Sequence, residues 1–417
     1  MRLLRVVVAA CLVLSCCSGG PAFASDVSKD WPGWRNADRS GRSNDTNLLK
    51  QWPSGGPKLL WKVEGLGTGY STPSVVGGIV YLMGTKGDND VVFAVNAKTH
   101  KVMWSTIVGE ATKGGGYPGA RATPTIDGSK LYTLGSGGSL VCLDTKKGKK
   151  VWSTNLRKDF GGVTGSWDYA ESPLIDGDVC VVSPGGKGTA MVALNKANGK
   201  EIWRSNAPDA GVAAYASAIV ADFNGKKQYI QFMSKSLFAV DAETGKQLWS
   251  YEKCANRVAN CPTPIYHDGY VFCASGYNTG GGLVKLKADG SQITAEEVYF
   301  QKKMNNHHGC VVLVDGHLYG THQQALICMD FLTGKVKWED RSVGKGSITY
   351  ADGHLYVRSE NGPIALVEAN PEKYVEKGRF QQPHRSNTNA WCHPVVTGGK
   401  MYIRDADILL CYNVAAK

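Results

Sequence analysis

Side chains that could bind a ligand recur just ahead of the short apolar runs that repeat along this 417-residue chain. They combine cations, a carboxylate, imidazoles and aromatic rings, a mixture that an apolar core does not need. Groups of this kind that converge on one concave surface form a binding site. The candidate ligand-binding residues are Tyr70, Arg121, Trp167, Glu171, Asn306, His307, His308, Lys345, Trp391 and His393.

Several of these residues also have a purely structural interpretation. Arg121 and Glu171 could form an ion pair between neighbouring repeats, the adjacent His307 and His308 could bond to loop carbonyls, and Trp391 could plug a channel. The imidazoles could bind a metal, but the sequence identifies no carboxylate placed to orient them. We therefore expect no metal site and assign no catalytic residue.

The candidate residues are positioned by a repeating unit that is clearest in residues 120–152. Three apolar runs alternate with polar positions and are separated by Asp-Gly or Gly-Lys turns, and Val151-Trp152 begins a fourth run. This pattern is typical of strands joined by tight hairpins. The unit is predicted to form one four-stranded antiparallel sheet, which must stack against further copies to bury its faces.

Related units follow at intervals of roughly 40–50 residues, the range found for propeller blades. Two of them are degenerate, with fourth strands predicted at residues 298–300 and 374–380. The last unit, residues 393–414, supplies three strands, whereas residues 59–63 read as a fourth strand with no preceding three. Pairing this N-terminal strand with the C-terminal blade would close a ring and remove exposed sheet edges. We predict an all-β fold, an eight-bladed β-propeller of four-stranded antiparallel blades; seven blades is the alternative.

The connection that enters the first strand of each blade opens on one face of a propeller's central channel. These connections are long and individual here, as in residues 109–121 and 155–171, whereas the turns expected on the other face are short and repetitive. Irregular segments on a rigid scaffold are where function concentrates. The candidate residues are therefore expected at the mouth of the channel, on this variable face.

Residues 1–24 are predicted to be an export signal. Arg2 and Arg5 precede an apolar run, and Ala22-Phe23-Ala24 forms an A-x-A cleavage site. The run is too short to cross a membrane, which takes about 20 residues. The chain is therefore expected to be exported, as a periplasmic or extracellular protein. Anchoring as an outer-membrane lipoprotein through Cys16 is the alternative.

The remainder is predicted to divide into a strap, residues 25–57, and the propeller, residues 58–417. The strap lacks strand periodicity, yet Trp31, Trp34 and Trp52 argue against plain disorder. We expect it to be irregular and to pack on the wall of the propeller.

Cys254 and Cys261 flank a loop, and in an oxidising compartment a disulfide between them is a candidate. The other cysteines after residue 24 lie mostly in apolar strands, where they are expected to be small core residues. The spacing typical of haem attachment or zinc binding does not occur.

The formal net charge of +11 comes largely from lysines in hairpin turns, such as residues 146–150. Such lysines keep a protein soluble and protect sheet edges. No basic motif interleaved with aromatic residues accompanies them, so we expect no nucleic-acid partner.

The repeat motif resembles that of the pyrroloquinoline-quinone-like (PQQ-like) propeller family. The resemblance rests on residues 123–152 and on the especially close copy in residues 237–249, which carries the pattern Ala-x-Asp-x-x-Thr-Gly-x-x-x-Trp. It covers nearly all of the chain after residue 24. The motif is specific for the fold and not for a function.

Two branches of this family imply different functions for the chain. Quinoprotein dehydrogenases hold the quinone and a calcium ion, and commonly have two adjacent cysteines, which this chain lacks after Ala24. The other branch is non-catalytic and includes the propeller lipoprotein of the outer-membrane β-barrel assembly machinery. Size, repeat number and leader resemble the second branch. It implies a monomeric, non-enzymatic scaffold without a cofactor, which binds an envelope protein or polysaccharide. A PQQ- and calcium-dependent alcohol or sugar dehydrogenase and a carbohydrate-binding propeller are the alternatives.

Overall fold

The computed structural model describes residues 29–290 and 292–417, which form eight four-stranded antiparallel sheets arranged as the blades of a propeller. The all-β, eight-bladed prediction is confirmed, and the seven-bladed alternative is wrong. The predicted export signal and Cys16 lie outside the described residues. Within those residues, no helix is long and apolar enough to cross a membrane.

The first strand of the propeller, β1 (Leu59–Val63), precedes the first complete blade. Blade 1 consists of β2 (Ser74–Val76), β3 (Ile79–Lys86), β4 (Asn89–Asn96) and β5 (Lys101–Glu110), and blade 2 of β6 (Thr125–Asp127), β7 (Lys130–Leu134), β8 (Ser139–Asp144) and β9 (Lys150–Asn155). Blade 3 consists of β10 (Leu174–Asp176), β11 (Val179–Val182), β12 (Met191–Asn195) and β13 (Glu201–Ser205). Blade 4 consists of β14 (Ile219–Phe223), β15 (Lys226–Phe232), β16 (Leu237–Asp241) and β17 (Gln247–Tyr251).

Blades 5 to 7 consist of β18 (Ile265–His267), β19 (Tyr270–Ser275), β20 (Gly280–Asp289) and β21 (Gln292–Gln301); β22 (Val311–Val314), β23 (His317–Thr321), β24 (Leu326–Asp330) and β25 (Val336–Asp340); and β26 (Gly346–Ala351), β27 (His354–Ser359), β28 (Ile364–Glu368) and β29 (Glu376–Phe380). Blade 8 takes β30 (Val395–Thr397), β31 (Lys400–Asp405) and β32 (Ile408–Asn413) from the C-terminal end of the chain. A single-turn helix, α1 (Leu156–Phe160), and a 3-10 turn (Gly114–Gly116) lie in the connections between blades.

Blade 8 is completed by β1, which pairs antiparallel with β32 and places Trp61 opposite Cys411. The predicted closure of the ring by its two ends is therefore confirmed. The two degenerate units also form complete blades, because β21 and β29 are the outer strands of blades 5 and 7.

The repeated tryptophan joins one blade to the next. The indole N–H of Trp152, on the outer strand of blade 2, donates to the carbonyl of Lys196 in blade 3 at 2.8 Å. Its ring packs on Gly199, where φ is +74° and an added Cβ would lie 2.7 Å from the ring. Trp104 and Trp203 make the corresponding contacts with the following blades. The Gly-x-x-x-Trp spacing thus gives each of these blades a tryptophan that packs on the corresponding glycine of the next blade.

The N-terminal residues 31–43, here called the channel segment, run along the inner strands and not along the outer wall. Trp31 pairs with the inner strand of blade 1. Residues further along bond to the inner strand of each other blade, or to the residues that lead into it. The partners in blades 1 to 8 are Val75, Ile126, Pro173, Ala218, Thr263, Val311, Tyr350 and Val396.

Two buried arginines hold the channel segment in place. Arg39 donates to the carbonyls of Ala218 and Pro173 at 2.7 and 2.6 Å, and Arg35 donates to the carbonyl of Val311 at 2.6 Å. Burial lowers the pKa of both guanidinium groups, that of Arg39 to about 10. Backbone carbonyls from blades 3, 4 and 6 therefore bond to two cations that the segment carries into the channel.

The residues that follow the channel segment pack on blades 7 and 8. Leu48 bridges to Ala415, and Trp52 packs edge-on against Phe380 and Tyr356 at ring distances of 5.4 and 5.8 Å. These contacts lie on the wall between blades 7 and 8. The prediction of a wall position is wrong for residues 31–43, because their arginines and tryptophans find their partners inside the ring.

Candidate functional site

A cavity of about 300 Å³ opens at the mouth of the channel, where the chain enters the inner strands. Its floor is Trp34 of the channel segment, whose indole N–H donates to the Thr263 hydroxyl at 2.7 Å and whose ring lies 4.7 Å from that of His393. Seven of the ten candidate residues line this cavity: Tyr70, Arg121, Trp167, His307, His308, Lys345 and Trp391.

The wall of the cavity is largely aromatic. Trp391 packs against Tyr70 and Tyr117 with ring centroids 4.6 and 5.2 Å apart. Trp167 meets Tyr215 edge-on at 5.7 Å, and the Tyr215 hydroxyl accepts a hydrogen bond from the Trp167 backbone N–H. Trp391 therefore forms part of the wall and does not fill the cavity.

A carboxylate that the candidate set did not include organises one side of the cavity. The Oε2 atom of Glu360 accepts hydrogen bonds from Lys345 Nζ at 3.0 Å, Trp391 Nε1 at 3.2 Å and His308 Nε2 at 3.3 Å. Burial acts to raise the pKa of Glu360, but the hydrogen bonds from His308 and Lys345 and the positive charge of Lys345 hold it at about 2. Glu360 is therefore ionised and fixes three lining side chains at once.

The two adjacent histidines are neutral at physiological pH. Burial lowers the pKa of His307 to about 3, and burial also lowers the pKa of His308 despite its bond to Glu360. The contact between His308 and Glu360 is consequently a hydrogen bond in which the imidazole donates.

Arg121 is held by the backbone of its own loop. Its guanidinium donates to the carbonyls of Tyr117 at 2.5 Å, Gly119 at 3.2 Å and Gly114 at 3.4 Å, and it lies 5.4 Å from the centre of the Tyr70 ring. The sequence alternative of an Arg121–Glu171 ion pair is wrong, because the loop turns the guanidinium toward the cavity.

Three candidate residues lie behind the cavity and support its loops. Glu171 is buried and accepts from the Ser183 backbone N–H at 2.7 Å and from Gln231 at 2.9 Å. Burial raises the pKa of Glu171 to about 7. Asn306 donates to the carbonyls of Thr321 and Cys310, and His393 Nε2 lies 3.2 Å from the carbonyl of His308.

The lining residues that sequence reasoning left out of the candidate set include Trp34, Tyr277, Glu360 and Asn389. Tyr277 and Glu360 sit in the turns between the second and third strands of blades 5 and 7. Those turns open on the same face as the entering connections. Considering only the connections therefore leaves out Tyr277 and Glu360. Trp34 was missed because nothing local predicts that its segment enters the channel.

The predicted Cys254–Cys261 disulfide is not formed, and both thiols are free. The Sγ atom of Cys254 is buried in the core and lies 3.1 Å from the carbonyl oxygen of Cys273. Cys261 instead lines the cavity, where burial raises the pKa of its thiol to about 12. The loop between the two cysteines directs them to different environments.

The donor set of the cavity does not fit the calcium-bound quinone of the dehydrogenase alternative. Calcium takes 6–8 oxygen ligands, mostly carboxylates and carbonyls. The lining offers one carboxylate, Glu360, and one of its oxygens already serves three donors. Across residues 29–290 and 292–417, no three His, Cys, Asp or Glu side chains are grouped so that they could hold a metal ion.

Comparisons with known proteins place this geometry in a family. The protein of Acidithiobacillus ferrooxidans called tetrathionate hydrolase is 27% identical over 390 residues, which is 84% of this chain and 65% of that protein. The outer membrane protein assembly factor BamB of Burkholderia pseudomallei is 26% identical over 262 residues, covering 60% of this chain and 61% of that protein. The match thus spans less than two thirds of either relative.

Solved structures confirm the architecture. The quinohemoprotein alcohol dehydrogenase of Comamonas testosteroni superposes with a TM-score of 0.68 at 13% identity, covering 94% of this chain and 82% of that one. At such low identity the likeness establishes the fold alone. The family model described as outer membrane protein assembly factor BamB matches residues 88–340, more than half of the chain. The chain therefore belongs to this family of PQQ-like β-propellers.

Proposed function

We propose that the protein is an exported, non-catalytic propeller scaffold that binds a protein or cell-envelope ligand in the channel-mouth cavity. The observation that carries the proposal is that this cavity is closed at its base. The channel segment bonds to all eight blades beneath it, and Trp34 forms its floor. A blind, preformed pocket lined by aromatic and a few polar groups is the usual form of a binding site.

The protonation states of the lining groups support binding and not catalysis. A general acid or base works best with a pKa near the operating pH. The carboxylate of Glu360 has a pKa of about 2, His307 one of about 3, and the Cys261 thiol one of about 12. Each group is therefore locked in one protonation state at neutral pH, which suits recognition of a ligand.

Membership of the family supports a role in the cell envelope. The model that matches residues 88–340 and the relative from Burkholderia pseudomallei both carry the name of an outer-membrane assembly factor. The loops around the cavity mouth differ from blade to blade, as a surface for a specific partner requires.

Site-directed photo-cross-linking in the native envelope tests the proposal. A photoreactive phenylalanine replaces the exposed Tyr117 at the cavity rim in one variant, and Lys147 in a matched control. Lys147 lies in the turn between β8 and β9, on the opposite face. We expect a discrete adduct from position 117 and none from position 147. Equal labelling at both positions would contradict the proposal. So would reduction of an artificial dye by the purified protein with PQQ and calcium.

A further inference from the structure

The cavity holds a cation that the protein does not neutralise. Lys345 is paired with Glu360, but Arg121 forms no ion pair within the described residues and donates only to backbone carbonyls. With His307 and His308 neutral, the cationic and acidic lining groups leave one net positive charge. The carboxylates of Asp168 and Asp90 act on Arg121 from beyond ion-pair distance, and Asp168 is itself paired with Arg157. An anionic ligand in direct contact with this partly desolvated guanidinium would therefore be favoured.

The loop before β6 is shaped around this guanidinium. Gly114 adopts φ of +53°, and an added Cβ would lie 2.9 Å from the Arg121 Nη2 atom. Tyr70 supports the other side of the group, with its ring centre 5.4 Å away. Arg121 is consequently fixed in place before any ligand arrives, which lowers the entropic cost of binding.

A second feature favours hydroxyl groups on the same ligand. All three protein donors to Glu360 reach its Oε2 atom, and its Oε1 atom accepts from no group in residues 29–290 and 292–417. An ionised carboxylate only accepts hydrogen bonds, so Oε1 calls for a donor. The hydroxyl of Tyr277 and the side-chain amide of Asn389 also lack partners in the described chain and line the same cavity.

The aromatic walls complete the description of the ligand. Trp34 and Trp391 present broad rings next to these polar groups. A pyranose ring has an apolar face of C–H groups that packs on an indole, and a rim of hydroxyls that needs hydrogen-bond partners. A simple aromatic acid would satisfy Arg121 and the indoles but would offer no donor to Glu360 Oε1.

We propose that the cavity binds a hexuronic acid, a sugar ring that carries a carboxylate, and that this is the envelope ligand of the function proposed above, on which the inference rests. The carboxylate pairs with Arg121, a ring hydroxyl donates to Glu360 Oε1, and the apolar face of the ring packs on an indole of the wall. A volume of about 300 Å³ is at the lower end for ligand pockets. Because Trp34 closes the floor, the site takes a terminal sugar and not the middle of a polymer.

Calorimetric titration of the purified protein with D-glucuronate, D-glucose, benzoate and a uronic-acid oligosaccharide tests this inference. Glucuronate is expected to bind at least about tenfold more tightly than glucose or benzoate, since a charge-assisted hydrogen bond contributes 1.4 kcal/mol or more. Comparison of the free uronate with the oligosaccharide distinguishes a free metabolite from the end of a polysaccharide. Equal affinity for glucuronate and glucose, or for glucuronate and benzoate, overturns the inference.

Two variants separate the sugar site from a general loss of structure. Arg121→Gln is expected to remove the preference for glucuronate over glucose, whereas Arg204→Gln, an exposed arginine paired with Glu201 on an outer strand, should leave it unchanged. If no sugar binds but position 117 still gives a specific photo-adduct, the inference of a uronic-acid ligand is wrong and the proposed scaffold function is retained. Absence of both overturns both.

Discussion

Trp34 and His393 lie in contact although 359 positions separate them in the chain, with ring centroids 4.7 Å apart. The contact joins the channel segment to the residues that lead into blade 8 at the floor of the cavity. The Nε2 atom of the same histidine lies 3.2 Å from the carbonyl of His308, which is part of the cavity wall. The floor and the wall of the site are therefore one connected unit, and the stability of the channel segment bears directly on the shape of the cavity.

Arg39→Met is expected to destabilise the whole propeller. The substitution removes donors to three buried carbonyls, those of Ser172, Pro173 and Ala218. Leaving buried acceptors unpaired should lower the free energy of unfolding by about 2–3 kcal/mol, which urea denaturation followed by tryptophan fluorescence would measure. Arg42→Gln is the matched control, because the Arg42 side chain is exposed and makes a long hydrogen bond, 3.4 Å, to the Leu313 carbonyl and a cation–π contact, 5.2 Å, with the Tyr350 ring. If Arg39→Met lowers the free energy of unfolding no more than the control does, the channel segment does not stabilise the ring.

A pair of glycine variants tests the joint between blades. Gly199 and Gly177 both have positive φ, +74° and +54°, so alanine carries a similar backbone penalty at each. Only at Gly199 does an added Cβ meet the Trp152 ring, at 2.7 Å. Gly199→Ala should therefore lower the free energy of unfolding by about 1–3 kcal/mol more than Gly177→Ala. Similar thermal unfolding of the two variants would mean that the indole can move aside without loss.

The low pKa of Glu360 predicts a specific dependence of stability on pH. Its folded pKa of about 2 lies below the ordinary value of 4.5, so its ionised form is preferred in the folded protein. The resulting stabilisation is complete above pH 4.5 and is lost as pH falls through 2. Between pH 5 and pH 2 the wild type should lose about 2 kcal/mol more than Glu360→Gln.

Denaturation at a series of pH values measures this difference. Glu372→Gln serves as the control, because that side chain is 78% exposed and its nearest cation, Lys337, is 3.9 Å away. If the free energy of unfolding depends on pH in the same way for the wild type and Glu360→Gln, the hydrogen-bonded carboxylate described for the cavity is contradicted.

Thiol counting tests the free state of Cys254 and Cys261. Residues 25–417 contain nine cysteines, all of them free, so alkylation of a protein that begins at residue 25, in denaturant and without reductant, should label nine thiols. In the Cys254→Ser variant, eight thiols should then be labelled. A disulfide would give the opposite order, seven in the wild type and eight in the variant, because the substitution would release Cys261. Mass spectrometry of the intact protein distinguishes the two results.

The blades could be predicted from the sequence because each is built from local hairpins. The Asp-Gly turns and the Gly-x-x-x-Trp spacing indicate which residues pair within one blade and between neighbouring blades. Even the closure of the ring followed from matching an unaccompanied fourth strand, residues 59–63, with a three-stranded unit at the other end.

The channel segment and Glu360 could not be predicted in the same way. Arg35 contacts Val311 across 276 positions, and no periodic pattern links two such distant residues. Glu360 becomes significant only once three other side chains, from different blades and connections, are brought to its Oε2 atom. Irregular segments take their conformation from what surrounds them, and that context is absent from local sequence.

The position of the channel segment ahead of the blades bears on how the molecule is assembled. The segment is synthesised before any blade, and β1, which follows it in the chain, pairs with β32 to close the ring around it. The same core at the other end of the chain would have to thread a finished ring. The segment that fills the channel and the strand that closes the ring therefore come from the same end of the chain.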